Sequence, residues 1–270
     1  MHRQLFVLVV AFLACGAARA QIVDSYNPPS GTCCLPSVAK SLTDALLDWN
    51  QLGRYHADNE VLKNQPADPK RIVFLGDSIT DFWNLAQTFP GKHYVNRGIS
   101  GQTTSQILVR LYPDVIDLKP VGVIILAGTN DIAQKTGPET LTMIQENLMA
   151  ITELSQRHGI KVILCSATPV SDYTLMPVVG RGGSSVAPGA RSAHRIQTVQ
   201  RPPADIVRLN AWVKSYAASV NAIYVDYYSA VVDSAGMFKA GLSDDGLHPN
   251  VRGYALIAPL AEAAIEKALK

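Results

Sequence analysis

Short β-favouring runs recur along the chain at 71–75, 93–95, 121–126, 161–165 and 222–225, and helical patterns lie between most of them. In PETLTMIQENLMAITELSQRHG the apolar residues Leu141, Ile144, Leu148, Ile151 and Leu154 recur at spacings of three and four, which trace one helix face. Gly159 then stops that helix. The stretch ADIVRLNAWVKSYAASV repeats the pattern through Ile206, Leu209, Val213 and Tyr216. Strands that alternate with amphipathic helices restrict the chain to a mostly parallel sheet covered on both faces. Right-handed crossovers then favour a doubly wound α/β sandwich.

The first twenty residues do not belong to that pattern. A weakly basic start, His2 and Arg3, precedes an apolar run from Leu5 to Ala14. That run is about ten residues long, short of the roughly 20 that a membrane-spanning helix needs. Ala18-Arg19-Ala20 fits the A-x-A cleavage pattern. Residues 1–20 therefore read as a signal peptide cleaved after Ala20, and the protein is expected to be secreted or periplasmic. The alternative is a lipoprotein anchored through Cys15, although Phe12-Leu13-Ala14 fits a lipobox poorly. No later segment is apolar and long enough to cross a membrane.

Loss of Arg3 and Arg19 with the leader leaves equal numbers of basic and acidic residues. Nothing in that balance suggests wholesale nucleic-acid binding. The remaining cysteines, Cys33, Cys34 and Cys165, are odd in number and do not make a disulfide framework. Cys165, within KVILCSA, is expected as a small buried hydrophobe; the pairing of Cys33 or Cys34 stays open.

Residues 21–70 read as an N-terminal arm, helical from about 36 to 62, with Val38, Leu42, Leu46 and Trp49 facing the main domain at 71–270. Residues 177–203, rich in Gly, Pro, Ser and Arg and without an acidic residue, read as a long basic loop. Its arginines, Arg181, Arg191, Arg195 and Arg201, are expected to be solvated, with recognition of an anionic substrate as the alternative. Pro259 is expected to kink or split the last helix. There is no internal repeat or second domain, and oligomeric state is not legible.

In open parallel sheets, ligands bind beyond the carboxyl ends of the strands. Four polar clusters fall there. Gly76-Asp77-Ser78 follows the first strand; Asn96-Arg97-Gly98-Ile99-Ser100-Gly101-Gln102-Thr103 follows the second; Gly128-Thr129-Asn130-Asp131 follows the third; and Asp244-Asp245-Gly246-Leu247-His248-Pro249 lies beyond the last. Glycines and polar residues end strands in any case, which explains each cluster singly better than all four together. A serine hydroxyl attacks only when a base takes its proton. His248 suits that task, with Asp245, three residues earlier, folding back onto its other ring nitrogen. Asp244 competes for the same role, and the D-x-x-H spacing favours Asp245. An oxyanion needs fixed N–H donors. The amides of Ser78 and Gly101 and the Asn130 side chain are the candidates, with Gly98 the alternative to Gly101. Each has a plainer explanation: a helix cap for Ser78, a surface histidine before a helix with Pro249 near its first position, a self-bonded turn for Asn130, and a positive φ for Gly101. Gly76 is expected to permit a tight turn, and Asp77 and Asp131 to secure their own loops. Trp83, Tyr94 and Trp212 read as packing. His56, His93, His158 and His194 show no metal-ligand spacing, so neither a metal nor a cofactor is expected. There is no phosphate loop, dinucleotide fingerprint or G-x-S-x-G elbow.

These four blocks resemble the GDSL or SGNH hydrolase superfamily of esterases and lipases. Ser78, Gly101, Asn130 and His248 carry its four letters, within GDSIT, GISGQTT, AGTND and DGLHPN. Ile79 stands where the first of those names has Leu. The resemblance spans about residues 71–269. It implies a flavodoxin-like three-layer α/β/α sandwich with a five-stranded sheet, and a secreted serine ester hydrolase acting on short-chain acyl or acetyl esters. The substrate class it implies is a small-molecule, glycan or lipid ester. The alternatives are a lysophospholipase-like lipid esterase, an acyltransferase, or a non-catalytic module that binds carbohydrate or lipid.

Overall fold

Each apolar run forms a strand: β1 (Ile72–Gly76), β2 (Tyr94–Gly98), β3 (Gly122–Leu126), β4 (Lys161–Cys165) and β5 (Ile223–Val225). They make one sheet of order β2-β1-β3-β4-β5 in which every neighbouring pair is parallel. The computed structural model describes residues 40, 43, 46–66, 68–173 and 196–270. The expected leader, Cys33 and Cys34, and residues 177–195 with Arg181, Arg191, Arg195 and His194 lie outside the described residues.

Between and after the strands lie α1 (His56–Lys63), α2 (Ser78–Asp81), α3 (Leu85–Thr88), α4 (Thr104–Val109), α5 (Leu111–Asp114), α6 (Thr129–Ile132), α7 (Leu141–Arg157), α8 (Gln197–Gln200), α9 (Pro203–Ser219), α10 (Tyr227–Val231) and α11 (Val251–Ala268). Successive strand residues point to opposite faces, and here both faces are buried. Val73, Leu75, Val123, Ile125, Val162 and Leu164 pack with Ile107, Leu111, Ile144, Leu148, Leu209 and Val213. Ile72, Phe74, Ile124, Leu126, Ile163 and Cys165 pack with Ile79, Trp83, Val231, Ile257, Ala261 and Ile265. Asp48–Lys270 is thus the expected three-layer sandwich. Trp83 and Tyr94 join the ring cluster around Phe74, and Trp212 stacks on Tyr216. Cys165 is free and buried, its thiol pushed up to about 12 by burial.

Several expectations need correction. β2 runs past Val95 to Gly98 because its polar residues find partners: Asn96 Nδ2 donates to Thr80 O at 2.7 Å, and Arg97 Nε to Asn59 Oδ1 at 2.9 Å. The arm is not one helix across 36–62. A turn at 48–50 and a left-handed Gln51 (φ 57°) interrupt it before a 3-10 turn, Leu52–Tyr55, and α1. Val38 and Leu42 lie outside the described residues, and Leu46 and Trp49 are exposed rather than buried. Pro259 does not split α11, which runs unbroken through it. Pro259 sits on the exposed face, as does Ala255, whose carbonyl finds no N–H on the proline but is open to solvent. The buried face of Gly253, Ile257, Ala261, Ala264 and Ile265 holds the helix together. Pro249 precedes the cap of α11 and is not its first residue; the cap is Asn250, whose side chain accepts from Arg252 N and Gly253 N. The end of the expected basic loop is helical, as α8.

The sheet edge is fixed by a buried cation. Arg110, with no exposed surface, donates from Nη2 to Gly76 O (2.8 Å), from Nη1 to Asp114 Oδ2 (2.8 Å) and from Nε to Gln102 Oε1 (2.5 Å). Asn59 of α1 joins the network through Nδ2 to Asp114 Oδ1 (2.7 Å). The arm adds two carbonyl acceptors: Asn50 O for Gln102 Nε2 and Trp49 O for Gln106 Nε2, each at 2.8 Å. Removing one partner of a buried ion pair strands the other. Arg110→Met should therefore lower unfolding free energy by about 3–5 kcal/mol, read from urea denaturation. A loss under about 1 kcal/mol, the range of an exposed pair, would contradict this account.

Candidate active site

The chain runs from β1 to β2 on one side of β1, then crosses to β3 on the other side. In such sheets the reversal point, beyond the ends of β1 and β3, is the expected ligand position. The two strands end in register, Gly76 beside Leu126, so Ser78 and Asn130 leave the sheet side by side. Gly76 is needed for close approach rather than for the expected turn: a Cβ there would meet Leu126 O at 2.5 Å and Thr80 Oγ1 at 2.3 Å.

Ser78 opens α2, whose N-cap is Asp77; Asp77 Oδ1 accepts from Ile79 N at 3.0 Å. At 6% exposure Ser78 is nearly enclosed. Its Oγ lies 2.8 Å from His248 Nε2, and His248 Nδ1 lies 2.5 Å from Asp245 Oδ2. Asp245 Oδ1 also accepts from His248 N (2.8 Å) and Leu247 N (2.9 Å). Partial burial works against the Asp245 charge. The imidazole and these two amides outweigh it and hold the carboxyl well below the usual carboxylate range. An ionised carboxylate only accepts, so the contact calls for a proton on Nδ1, and in a neutral ring Nε2 is then the acceptor facing Ser78 Oγ. Asp244 points elsewhere, accepting from Asn250 Nδ2 at 2.8 Å.

The amide hydrogens of Ser78 and Gly101 have no hydrogen-bond partner among the described residues. Gly98 N–H, the alternative, is taken: it donates to Asn96 Oδ1 at 2.8 Å. Gly101 has φ +83°, which meets the conformational explanation for that glycine. Asn130, 2% exposed, donates from Nδ2 to Gln102 O at 3.0 Å and makes a long 3.4 Å contact with Asp77 Oδ2. Asp131 does not secure its own loop as expected. It accepts from Thr104 N at 2.9 Å and from Thr104 Oγ1, so it anchors α4 behind the glycine block. Burial, reinforced by neighbouring Glu139, raises its carboxyl.

Two residues at the site escaped the sequence reading. Arg201 is not a solvated loop residue: it is 2% exposed and donates from Nη2 to Asn130 Oδ1 at 3.1 Å. The one available signal was Pro202-Pro203, which marks where the chain re-enters the fold at α9. Phe82 is 56% exposed, with its ring 4.9 Å from that of His248. No spacing in the sequence separates it from an ordinary surface aromatic. Among the described residues no helix is long and apolar enough to cross a membrane.

Comparison with known proteins agrees with this architecture. The model of the GDSL-like lipase/acylhydrolase family matches residues 74–256, more than half of the chain. The crystal structure of a GDSL-like lipase from Bacteroides thetaiotaomicron VPI-5482 is 33% identical, with a TM-score of 0.69 over 81% of this chain and 98% of that one. The acetylxylan esterase of Geobacillus stearothermophilus is 25% identical over 216 residues, 70% of this chain and 90% of that protein. The uncharacterized lipoprotein YqeF of Bacillus subtilis (strain 168) is 42% identical over 79 residues, 28% of this chain. That match spans 32% of the length of YqeF. With its parallel sheet and the four blocks at one sheet edge, the chain belongs to the GDSL-like lipase/acylhydrolase family, a family of carboxylic ester hydrolases.

Proposed function

We propose that the protein is an exported serine esterase that cleaves short-chain acyl esters, acetyl esters of glycans foremost, with Ser78 as nucleophile, His248 as base and Asp245 as its orienting acid. The observation that carries the reading is the hydrogen-bonded line from Ser78 Oγ through the His248 ring to Asp245, set beside two amide hydrogens that have no partner among the described residues. As Oγ bonds to the ester carbonyl carbon, its proton passes to His248 Nε2. The carbonyl oxygen becomes an oxyanion that accepts from Ser78 N, Gly101 N and Asn130 Nδ2. The Asn130 proton comes from its 3.4 Å contact, which is too long to compete with a charged acceptor. The intermediate collapses, the C–O bond to the alcohol breaks, and Nε2–H protonates the leaving oxygen. A water deprotonated by the same nitrogen then attacks the acyl-enzyme, and its collapse returns the proton to Ser78.

Similarity to an acetylxylan esterase supports the acetyl preference. The leader-like residues 1–20 and the similarity to a lipoprotein support export. Ser78→Ala should lower kcat on p-nitrophenyl acetate by roughly 10⁴- to 10⁶-fold with the fold intact. Turnover at the wild-type rate would sink the assignment. A panel of acyl lengths and acetylated glycans should show kcat/KM highest for acetyl; a maximum at long chains would favour a lipid substrate.

Asp77 holds the turn and takes no part in the proton transfers. Complete burial raises it to about 6, against the pull of Ile79 N–H, His248 and Arg201. The folded protein thus keeps a proton that the unfolded chain, at an ordinary 3.8, releases earlier. The stability linked to that proton is complete below the unfolded value and lost as pH rises through about 6. Asp77→Asn keeps an acceptor for Ile79 N–H and cannot ionise. Its stability relative to wild type should grow by on the order of 3 kcal/mol between about pH 4 and about pH 8, read by urea denaturation. A difference that does not change with pH would show that Asp77 is not the titrating group.

A further inference from the structure

We propose that Arg201 is a positioning residue that fixes which end of the Asn130 amide faces the reacting carbon. The proposal rests on the reading of Asn130 as an oxyanion donor.

A side-chain amide has two ends of nearly equal shape and opposite hydrogen-bond character. Turned over, Asn130 would present an acceptor to the developing oxyanion, and the contact would repel. Its surroundings select the productive turn. A guanidinium has donors and no acceptor, so the end 3.1 Å from Arg201 Nη2 must be the oxygen. On the other side stand acceptors, Gln102 O at 3.0 Å and Asp77 Oδ2 at 3.4 Å, which call for the nitrogen. Gln102 is itself held by Arg110 and by the Asn50 carbonyl. The amide is therefore bracketed by a donor-only group and by acceptors, and reversal would leave both sides mismatched.

Arg201 is built to stay in place. Its Nη1 donates to Gln197 Oε1 at 2.9 Å, and its backbone N to Gln197 O at 2.8 Å. Pro202 and Pro203 follow it, and Asp172 accepts from Gln197 N at 2.7 Å and from Thr198 Oγ1, pinning α8 to the loop after β4. Ser171 N in that loop donates to Gly246 O at 2.8 Å, which connects the same support to the turn that carries His248. The guanidinium makes no ion pair with a carboxylate among the described residues, and its Nε is buried without a partner. Burial works against the guanidinium charge and Asp77 and Asp245 work for it, while its one hydrogen bond to the reaction machinery is to the Asn130 oxygen.

The test is a double-mutant cycle on p-nitrophenyl acetate. Arg201→Met should lower kcat by roughly 10²-fold, comparable to loss of one oxyanion donor, with KM changed by less than about threefold. Arg201→Lys, which keeps a donor-only head, should retain at least about tenfold more kcat than Arg201→Met. In the Asn130→Ala background Arg201→Met should cost less than about threefold further. Unchanged kcat, a raised KM with kcat intact, or an equal loss in both backgrounds would overturn the proposal. If Arg201→Met does not fold, the cycle is run with Arg201→Lys, whose smaller loss should also vanish in the Asn130→Ala background; persistence there overturns it. Wild-type turnover by both Ser78→Ala and Asn130→Ala would instead sink the esterase reading itself.

Discussion

The Arg110 guanidinium, sealed between the end of β1 and the glycine block, is the contact on which the architecture of the site depends. Its three donations reach a strand carbonyl, a helix carboxylate and the side chain of Gln102. A charge so deep is tolerated only when it is paired and hydrogen-bonded, and these bonds tie the end of β1, two residues before Ser78, to Gln102, next to Gly101. Desolvation lowers the Arg110 pKa, and Asp114 works in the opposite direction. Because the bonds run to a backbone carbonyl and a side-chain amide as well as to a carboxylate, the network ties the end of β1 to the glycine block and to α5.

Sheet order does the rest. The reversal between β2 and β3 leaves the tips of β1 and β3 uncovered and adjacent, and their register puts one polar block beside the other. His248 arrives from the far end of the chain on a short turn whose shape is set by Asp245, which bonds to two amides as well as to the ring. One carboxylate thus folds its own turn and orients the imidazole. The two nearby acids are treated in opposite ways. Asp245, partly exposed and ringed by donors, keeps its charge, whereas Asp77, sealed off from solvent, is pushed toward neutrality.

Much of this is readable from sequence because it depends on periodicity and on strand ends. The alternation of β-favouring runs with the Leu141–Leu154 and Ile206–Tyr216 patterns specifies the layers, and a ligand crevice at strand tips directs attention to Ser78, Asn130 and His248. The remainder depends on long-range polar contacts that leave no local trace. Trp49 and Asn50 act through backbone carbonyls, which any residue type could supply. Arg201 sits in a stretch whose composition reads as a solvated loop, yet tertiary burial makes it part of the site. Pro259 misleads because a propensity rule cannot see that its helix face is turned to water. The break at Gln51 is likewise invisible, since glutamine is an ordinary helix former.

The polar seam between the arm and the glycine block bears on where the smallest autonomous piece of this protein begins. The family match starts at residue 74 and the first strand at Ile72. A fragment trimmed to that point would leave Gln102 Nε2, Gln106 Nε2 and Arg97 Nε without their acceptors, and Asp114 without Asn59. Homology thus marks a boundary some two dozen residues inside the physical one, which lies near Asp48. A shortened version designed on the family limits alone would lose the brace behind Gly101 while retaining every residue of the four blocks.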